Sequence, residues 1–334
     1  MSSASNGKHS EPVWQVYFLN FWKLFFYHLS NKIHCRQVYW APDNLDGYQN
    51  FYSCSSDGRV TNWTIVKNVL WHCDQLCIDF DRPLRNIELD GGVKLLDGAR
   101  ALSFKPDKLD LFLVGTEEGD IHLATIEYDS QFLSSYHGHT TPVNCIAWNP
   151  FFPEIFISCA SESLVIVWHK ELSTPILRYN LSNIANLTQP ILRYNLGNMV
   201  GQVAWAPYSS TVFAAVTDSK IVVFDLFVHK YRPICQQKIV ANTTGVLNCI
   251  SFNKIEPVVI VGDSTGMVHS LKLSPNLRKK SEKGKDGGKD GDDKGFAEDD
   301  KKVALMLEVT KLKKILSQVI QRGATGEDSG EEEL

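Results

Sequence analysis

Four stretches of this sequence hold residues able to do chemistry. Gly262-Asp263-Ser264-Thr265-Gly266 has the G-x-S-x-G spacing of a serine nucleophile. That role needs a strand-to-helix elbow, which holds the hydroxyl out beside a base. Here VVIVG precedes and MVHSLKL follows, both strand-like, so the pentapeptide reads as a hairpin turn. His72, Cys73 and Cys77 in HCDQLC offer soft ligands, but a closed zinc site takes four and no second pair stands at ligand spacing. GKDGGKDGDDKG lacks the apolar strand and terminal Ser/Thr of a phosphate-cradling loop. His137 and His139 flank a glycine, and the repeat described below accounts for His139. The expectation is a protein without catalytic residues, metal site or cofactor, so its work is binding.

Composition narrows what it binds. The 334 residues are 43% hydrophobic and 22% charged with a formal charge of −4, which suits a soluble fold and supplies no basic excess for nucleic acid. Most cysteines lie in apolar runs such as SCSS, NCIAW and NCISF, and read as buried thiols of a reducing compartment. YFLNFWKLFFYHL, residues 17–29, imitates a membrane segment but is too short to span a bilayer and is broken by Asn20 and Lys23. No membrane partner is expected.

The elements that must carry the binding surface are strands. Short β-branched and aromatic runs separated by turn residues fill residues 38–273. An aromatic opens each unit: Trp40, Phe104, Trp148, Trp205 and Phe252. A later strand closes at Trp63, Ala124, Trp168, Phe224 or Leu271, and Asp57, Glu118, Glu162, Asp218 or Thr265 stands six residues before it. Such units cannot bury both faces of a sheet alone and must stack on one another.

These units resemble WD repeats, the four-stranded blades of a β-propeller. HGHTTPVNCIAWNPFFPEIFISCASESLVIVWHK carries the likeness best, with Gly138-His139 ahead of its first strand and Trp168 closing its third. The resemblance implies that His139, a turn acid such as Asp57 or Asp218, and Trp63 or Trp168 pin the blades through buried hydrogen bonds. Glu162 and His169 depart from the pattern in that repeat. The fold expected is all-β, a WD40 propeller with five recognisable blades, incomplete, and a C-terminal helix.

Two segments break the spacing. Opening aromatics are 44 residues apart from Phe104 to Trp148 and 47 from Trp205 to Phe252, but 57 from Trp148 to Trp205. PILRYNL occurs twice within that long gap, and deleting one fifteen-residue copy restores 42. Near the start, removing Val16–Gln37 yields PVWQVYWAPDN, which parallels PVNCIAWNP. Because a valine codon begins GT and a glutamine codon can end AG, this segment reads as translated intron. A surface insertion is the alternative.

FYSCSSDGRVTNWTIVKN, WNPFFPEIFISCAS, GQVAWAPYSSTVFAAVTDSKIVVFDL and VGDSTGMVHSLKLSPNLRK further resemble the C-terminal propeller of axonemal dynein intermediate chains, the outer-arm type foremost. The resemblance covers roughly residues 38–280. It implies a non-catalytic scaffold in the cytoplasm and cytoskeleton, at the axoneme of a cilium or flagellum. Its implied partners are dynein heavy chain and a second dynein intermediate chain. Dynein light chains would follow only if an N-terminal region precedes these residues. Open alternatives are a WD scaffold of another assembly, a propeller enzyme, and a fragmentary product without function.

The expected organisation is an irregular 1–37 holding the insertion, blades over 38–277, a charged linker over 278–300, a helix over 301–322 and an acidic tail over 323–334. In the helix Leu305, Val309, Leu312, Leu316 and Val319 recur at steps of four and three and form one apolar face. That face docks either on the chain's own propeller or on another dynein subunit.

Overall fold

A computed structural model describes residues 35–43, 46–67, 69–78, 98–127, 132–171, 177–180, 199–230, 232–239, 245–278 and 296–325. Five antiparallel sheets follow one another along this chain. The first holds β1 (Cys35–Ala41), β2 (Gln49–Ser55), β3 (Arg59–Val66) and β4 (Val69–Cys77). The second holds β5 (Ala99–Phe104), β6 (Leu111–Thr116), β7 (Asp120–Thr125) and β8 (Phe132–His137). The third holds β9 (Val143–Trp148), β10 (Ile155–Ala160), β11 (Leu164–His169) and β12 (Leu177–Asn180). The fourth holds β13 (Val200–Trp205), β14 (Val212–Thr217), β15 (Lys220–Asp225) and β16 (Cys235–Lys238), and the fifth β17 (Leu247–Phe252), β18 (Val258–Asp263) and β19 (Val268–Lys272). A 3₁₀ turn, Pro275–Arg278, and one helix, α1 (Phe296–Thr325), complete the described elements.

Each sheet is a meander in which neighbours in sequence are neighbours in space, the pattern of a WD blade. The strands form where β-branched and aromatic residues cluster, and the β2–β3, β6–β7 and β18–β19 turns take a glycine at positive φ. Gly119, in the β6–β7 hairpin, shows why. Its φ is +96°, and a Cβ there would lie 2.8 Å from the carbonyl oxygen of His139. Side chains larger than hydrogen are excluded on both counts.

Two compact units divide the chain, residues 1–146 and 147–334. In the first, Tyr52, Cys54, Val60 and Leu76 of one sheet pack on Leu102, Phe104, Phe112 and Val114 of the next. In the second, Ala214, Val216, Ile221 and Val223 pack on Leu247, Ile250, Val259 and Val261, with Leu273 and Leu277 closing that core. Burying each large aliphatic side chain contributes roughly 1.5–3 kcal/mol, so face-to-face stacking dominates the stability of these sheets.

The boundaries differ in places from those expected. β1 begins at Cys35, so Cys35–Gln37, expected in the insertion, are strand; they pair with Ser55 and Cys54 across a bulge. The first PILRYNL copy supplies β12, the outer strand of the third sheet, through Leu177–Asn180. The second copy, residues 16–34 and the tail beyond 325 lie outside the described residues. α1 runs beyond 301–322 at both ends. No described helix is long and apolar enough to cross a membrane.

Candidate functional site

GKDGGKDGDDKG, residues 284–295, lies outside the described residues, and the other residues singled out for chemistry occupy structural positions. Gly262–Gly266 joins β18 to β19, strand to strand, and Ser264 Oγ accepts a 3.0 Å hydrogen bond from the Val246 N–H. His72 and Cys73 are successive residues of β4 and so face opposite sides of the sheet. His72 packs against the Trp63 ring at 5.7 Å. Among the described residues no cluster of three or more His, Cys, Asp or Glu side chains could hold a metal ion.

The blade-pinning residues form a repeating ladder. Trp40, Phe51 and Trp63 sit opposite one another on β1, β2 and β3, with ring centroids 5.1 and 6.0 Å apart. Trp148, Phe156 and Trp168 repeat this at 5.3 and 6.0 Å, and Trp205, Phe213 and Phe224 at 5.5 and 4.9 Å. Burial of such rings is favourable only if the indole N–H finds an acceptor. Trp63 Nε1 donates to Ser53 Oγ at 2.7 Å and Trp168 Nε1 to Ser158 Oγ at 2.8 Å. Where the third aromatic is Phe224, the residue at the serine's place is Ala215, which needs no donor.

Asp57 caps its own hairpin, accepting from the Arg59 N–H at 3.1 Å. Asp218 holds the next blade through its backbone, since its carbonyl accepts from Leu247 N–H at 2.9 Å; burial pushes its carboxyl above the ordinary value. In the fifth sheet Thr265 holds the expected position, but Asp263 organises the turn. Its Oδ1 accepts from Thr265 N–H, Thr265 Oγ1 and Met267 N–H at 2.9, 2.6 and 2.9 Å. His139 is 3% exposed.

A contact between neighbouring blades was not anticipated. Gln37 Oε1 accepts from Leu102 N–H at 2.7 Å, and Gln202 Oε1 from Ile250 N–H at 2.8 Å. Both glutamines stand at a first-strand bulge, three residues before Trp40 or Trp205. Both donors, Leu102 and Ile250, stand two residues before the next opening aromatic, Phe104 or Phe252.

α1 docks on a platform made by two loops of the second unit. Asn149, after β9, donates through Nδ2 to the Ser210 carbonyl at 2.8 Å, and its Oδ1 accepts from Phe151 and Phe152 N–H at 3.0 Å each. Thr211 Oγ1 donates to Asp225 Oδ1 at 2.6 Å, and the same oxygen accepts from Phe227 N–H. Into this platform α1 inserts Glu308, 4% exposed. Its Oε2 accepts from Ser210 N–H and Ser210 Oγ, both at 2.8 Å, while Lys311 Nζ lies 3.5 Å from Oε1. A buried carboxylate is tolerable only with such donors. Leu312, Ile315 and Leu316 are buried beside it, and Lys311 and Lys313 lie over the Phe227 and Phe152 rings at 4.8 and 4.9 Å.

Of the helix face expected from spacing, Leu312 and Leu316 are buried, Val309 is half-buried and Leu305 is 46% exposed. The Val319 side chain lies outside the described residues. Glu308 and Ile315 complete the docked face. Periodicity of apolar residues misses Glu308 because it scores a carboxylate as solvent-facing. The string YSST, residues 208–211, is the cradle that receives it.

Repeated four-stranded meanders, aromatic ladders and serine-bonded tryptophans define a WD-repeat β-propeller protein. The WD domain, G-beta repeat family matches residues 130–169. Among solved structures, the WD40 β-propeller domain of Doa1 superposes with a TM-score of 0.50 at 14% identity, over 71% of this chain and 64% of that one, a likeness of fold.

The homologues that cover most of this chain at about 40% identity are axonemal dynein intermediate chains. "Dynein intermediate chain 2, ciliary" of Heliocidaris crassispina is 40% identical over 93% of this chain and 39% of its own length. "Dynein axonemal intermediate chain 1" of Bos taurus is 40% identical over 85% of this chain and 36% of its own. "Dynein, 78 kDa intermediate chain, flagellar outer arm" of Chlamydomonas reinhardtii is 34% identical over 85% and 37%. The chain thus spans under two fifths of the length of these curated relatives.

Proposed function

We propose that this chain is the propeller-bearing part of a non-catalytic scaffold subunit of an axonemal dynein, working in ciliary or flagellar movement and in assembly of the outer arm. The observation that carries this is 40% identity to a ciliary dynein intermediate chain across 93% of the residues. The place of work is the axonemal cytoskeleton. Dynein heavy chain and a second intermediate chain are the partners, bound by side chains on the blade loops. Energy comes from a few buried anchors and specificity from the polar rim around them. Light chains are assigned to no residue here.

The test is expression of the tagged full chain in a ciliated cell, isolation of axonemes, and salt extraction followed by affinity capture. Dynein heavy chain should co-purify in stoichiometric amount. A chain absent from axonemes, or present without heavy chain, overturns the reading in favour of a WD scaffold of another assembly.

A further inference from the structure

α1 is held along one stretch and overhangs along another. Glu308, Leu312, Ile315 and Leu316 are buried, yet the run VALML, residues 303–307, stands in water. Met306 is 72% exposed, Val303 56% and Leu307 51%. These three recur at i, i+3 and i+4 and share one side of the helix, while Leu305 continues the docked side past its last support. A helix apolar all round is one whose surroundings bury it. Cis docking accounts for the later turns of α1 and leaves these uncovered.

The adjacent surface extends the same patch. Lys311 lies one turn beyond Leu307 and reaches Phe227, so the Phe227 turn stands on the Leu307 side of the helix. Phe227 is 63% exposed and Val228 is exposed beside it. The helix ridge and the turn therefore stand on one side of the docked helix. Among the described side chains of α1, the exposed charges are basic. The described side chains of α1 carry one carboxylate, Glu308, and that is buried on Ser210; Lys311, Lys313 and Lys314 are the other charges. Lys230, bonded to Gln318 Oε1 at 2.7 Å, adds a further cation.

We infer that Val303, Met306 and Leu307, with Phe227 and Val228, are a docking surface for an acidic amphipathic helix of another protein subunit. The ridge at i, i+3 and i+4 suits a second helix packed along it. Carboxylates flanking that helix's apolar stripe meet Lys311, Lys314 and Lys230. The inference uses only α1 and the second unit, and so stands or falls apart from the axonemal assignment.

The test uses the full chain and two labelled peptides of about three heptads with a leucine stripe, one flanked by glutamate and one by lysine. The acidic peptide should bind at least about tenfold more tightly, a gap that narrows with salt. M306S/L307S should abolish binding with its near-UV circular dichroism unchanged, because both side chains are exposed. K314E should weaken the acidic peptide and improve the basic one. Equal affinity for both peptides, or M306S/L307S binding as wild type does, overturns the proposal. So does self-association that M306S/L307S removes, which would make a second copy the occupant. Adsorption to anionic vesicles in place of the peptide, lost in the same variant, would make it a lipid surface.

Discussion

Trp168 and Ser158, ten residues apart on neighbouring strands, are joined by a 2.8 Å hydrogen bond wholly within the core of the third sheet. The indole can be buried there because the hydroxyl receives its N–H. Trp168→Phe keeps the ring stack on Phe156 but leaves Ser158 Oγ without that donor. We expect it to cost about 1–3 kcal/mol in urea unfolding. Ser158→Ala should cost a comparable amount by stranding the indole N–H. The double variant should cost clearly less than the two singles summed. Additive losses would mean that the bond contributes nothing beyond packing.

Gln202 does between sheets what Trp168 does within one. Its amide oxygen satisfies the Ile250 N–H of the next first strand, beside a bulge that interrupts the ladder. Gln202→Leu removes the acceptor at similar volume. The expected result is faster amide exchange at Ile250, with the β14–β15 ladder retained and stability lowered by about 1 kcal/mol. Unchanged exchange at Ile250 would show that the amide is protected without the glutamine.

Much of this architecture is readable in the sequence because it repeats. Opening aromatics, polar hairpins and closing positions recur in register, and five sheets stand where five units were aligned. The pinning serines were within reach of the same alignment. Ser53 and Ser158 each stand ten residues before a tryptophan, but each precedes a cysteine in an apolar run, which is the more conspicuous signal. Gln37 and Gln202 were hidden for another reason: an inter-sheet bond leaves no local periodicity. Gln37 also bears on the irregular N-terminus. Removal of Val16–Gln37 would take it away but set Gln15 directly before Val38, so the sequence Gln-Val-Tyr-Trp survives either way. The Glu308 contact joins residues 98 apart, and no pattern of hydrophobicity points to it.

Glu308→Ala tests whether that contact fixes α1. The substitution strands the Ser210 N–H inside the platform, leaves the hydroxyl its 2.9 Å bond to the residue-308 carbonyl, and should cost about 1–3 kcal/mol of docking free energy. Exchange across 303–318 should then accelerate roughly ten- to hundredfold while the five sheets keep their protection. Ser210→Ala, which leaves the backbone donor in place, should give a smaller effect in the same residues. Acceleration spread over the sheets instead would mean that α1 supports the fold as a whole.

Asp263 gives a pH dependence whose direction is set by its partners. The Thr265 hydroxyl, the Met267 and Thr265 amides and His269 hold its carboxyl down to about 2 from an ordinary 3.8, against the opposing effect of burial. A folded-state value below the unfolded one means that the unfolded chain takes up the proton first as pH falls. The stabilisation is therefore complete above about pH 4 and fades as pH drops toward 2. Asp263→Asn keeps an acceptor for the turn but has no carboxylate to titrate. Melting temperatures of the two proteins should differ most above pH 4 and converge by about pH 2, and the Asp263 carboxyl resonance of the wild type should titrate near 2. A resonance moving near 4, or a gap between the two proteins that widens in acid, would show that the Thr265 and Met267 bonds do not hold the charged form.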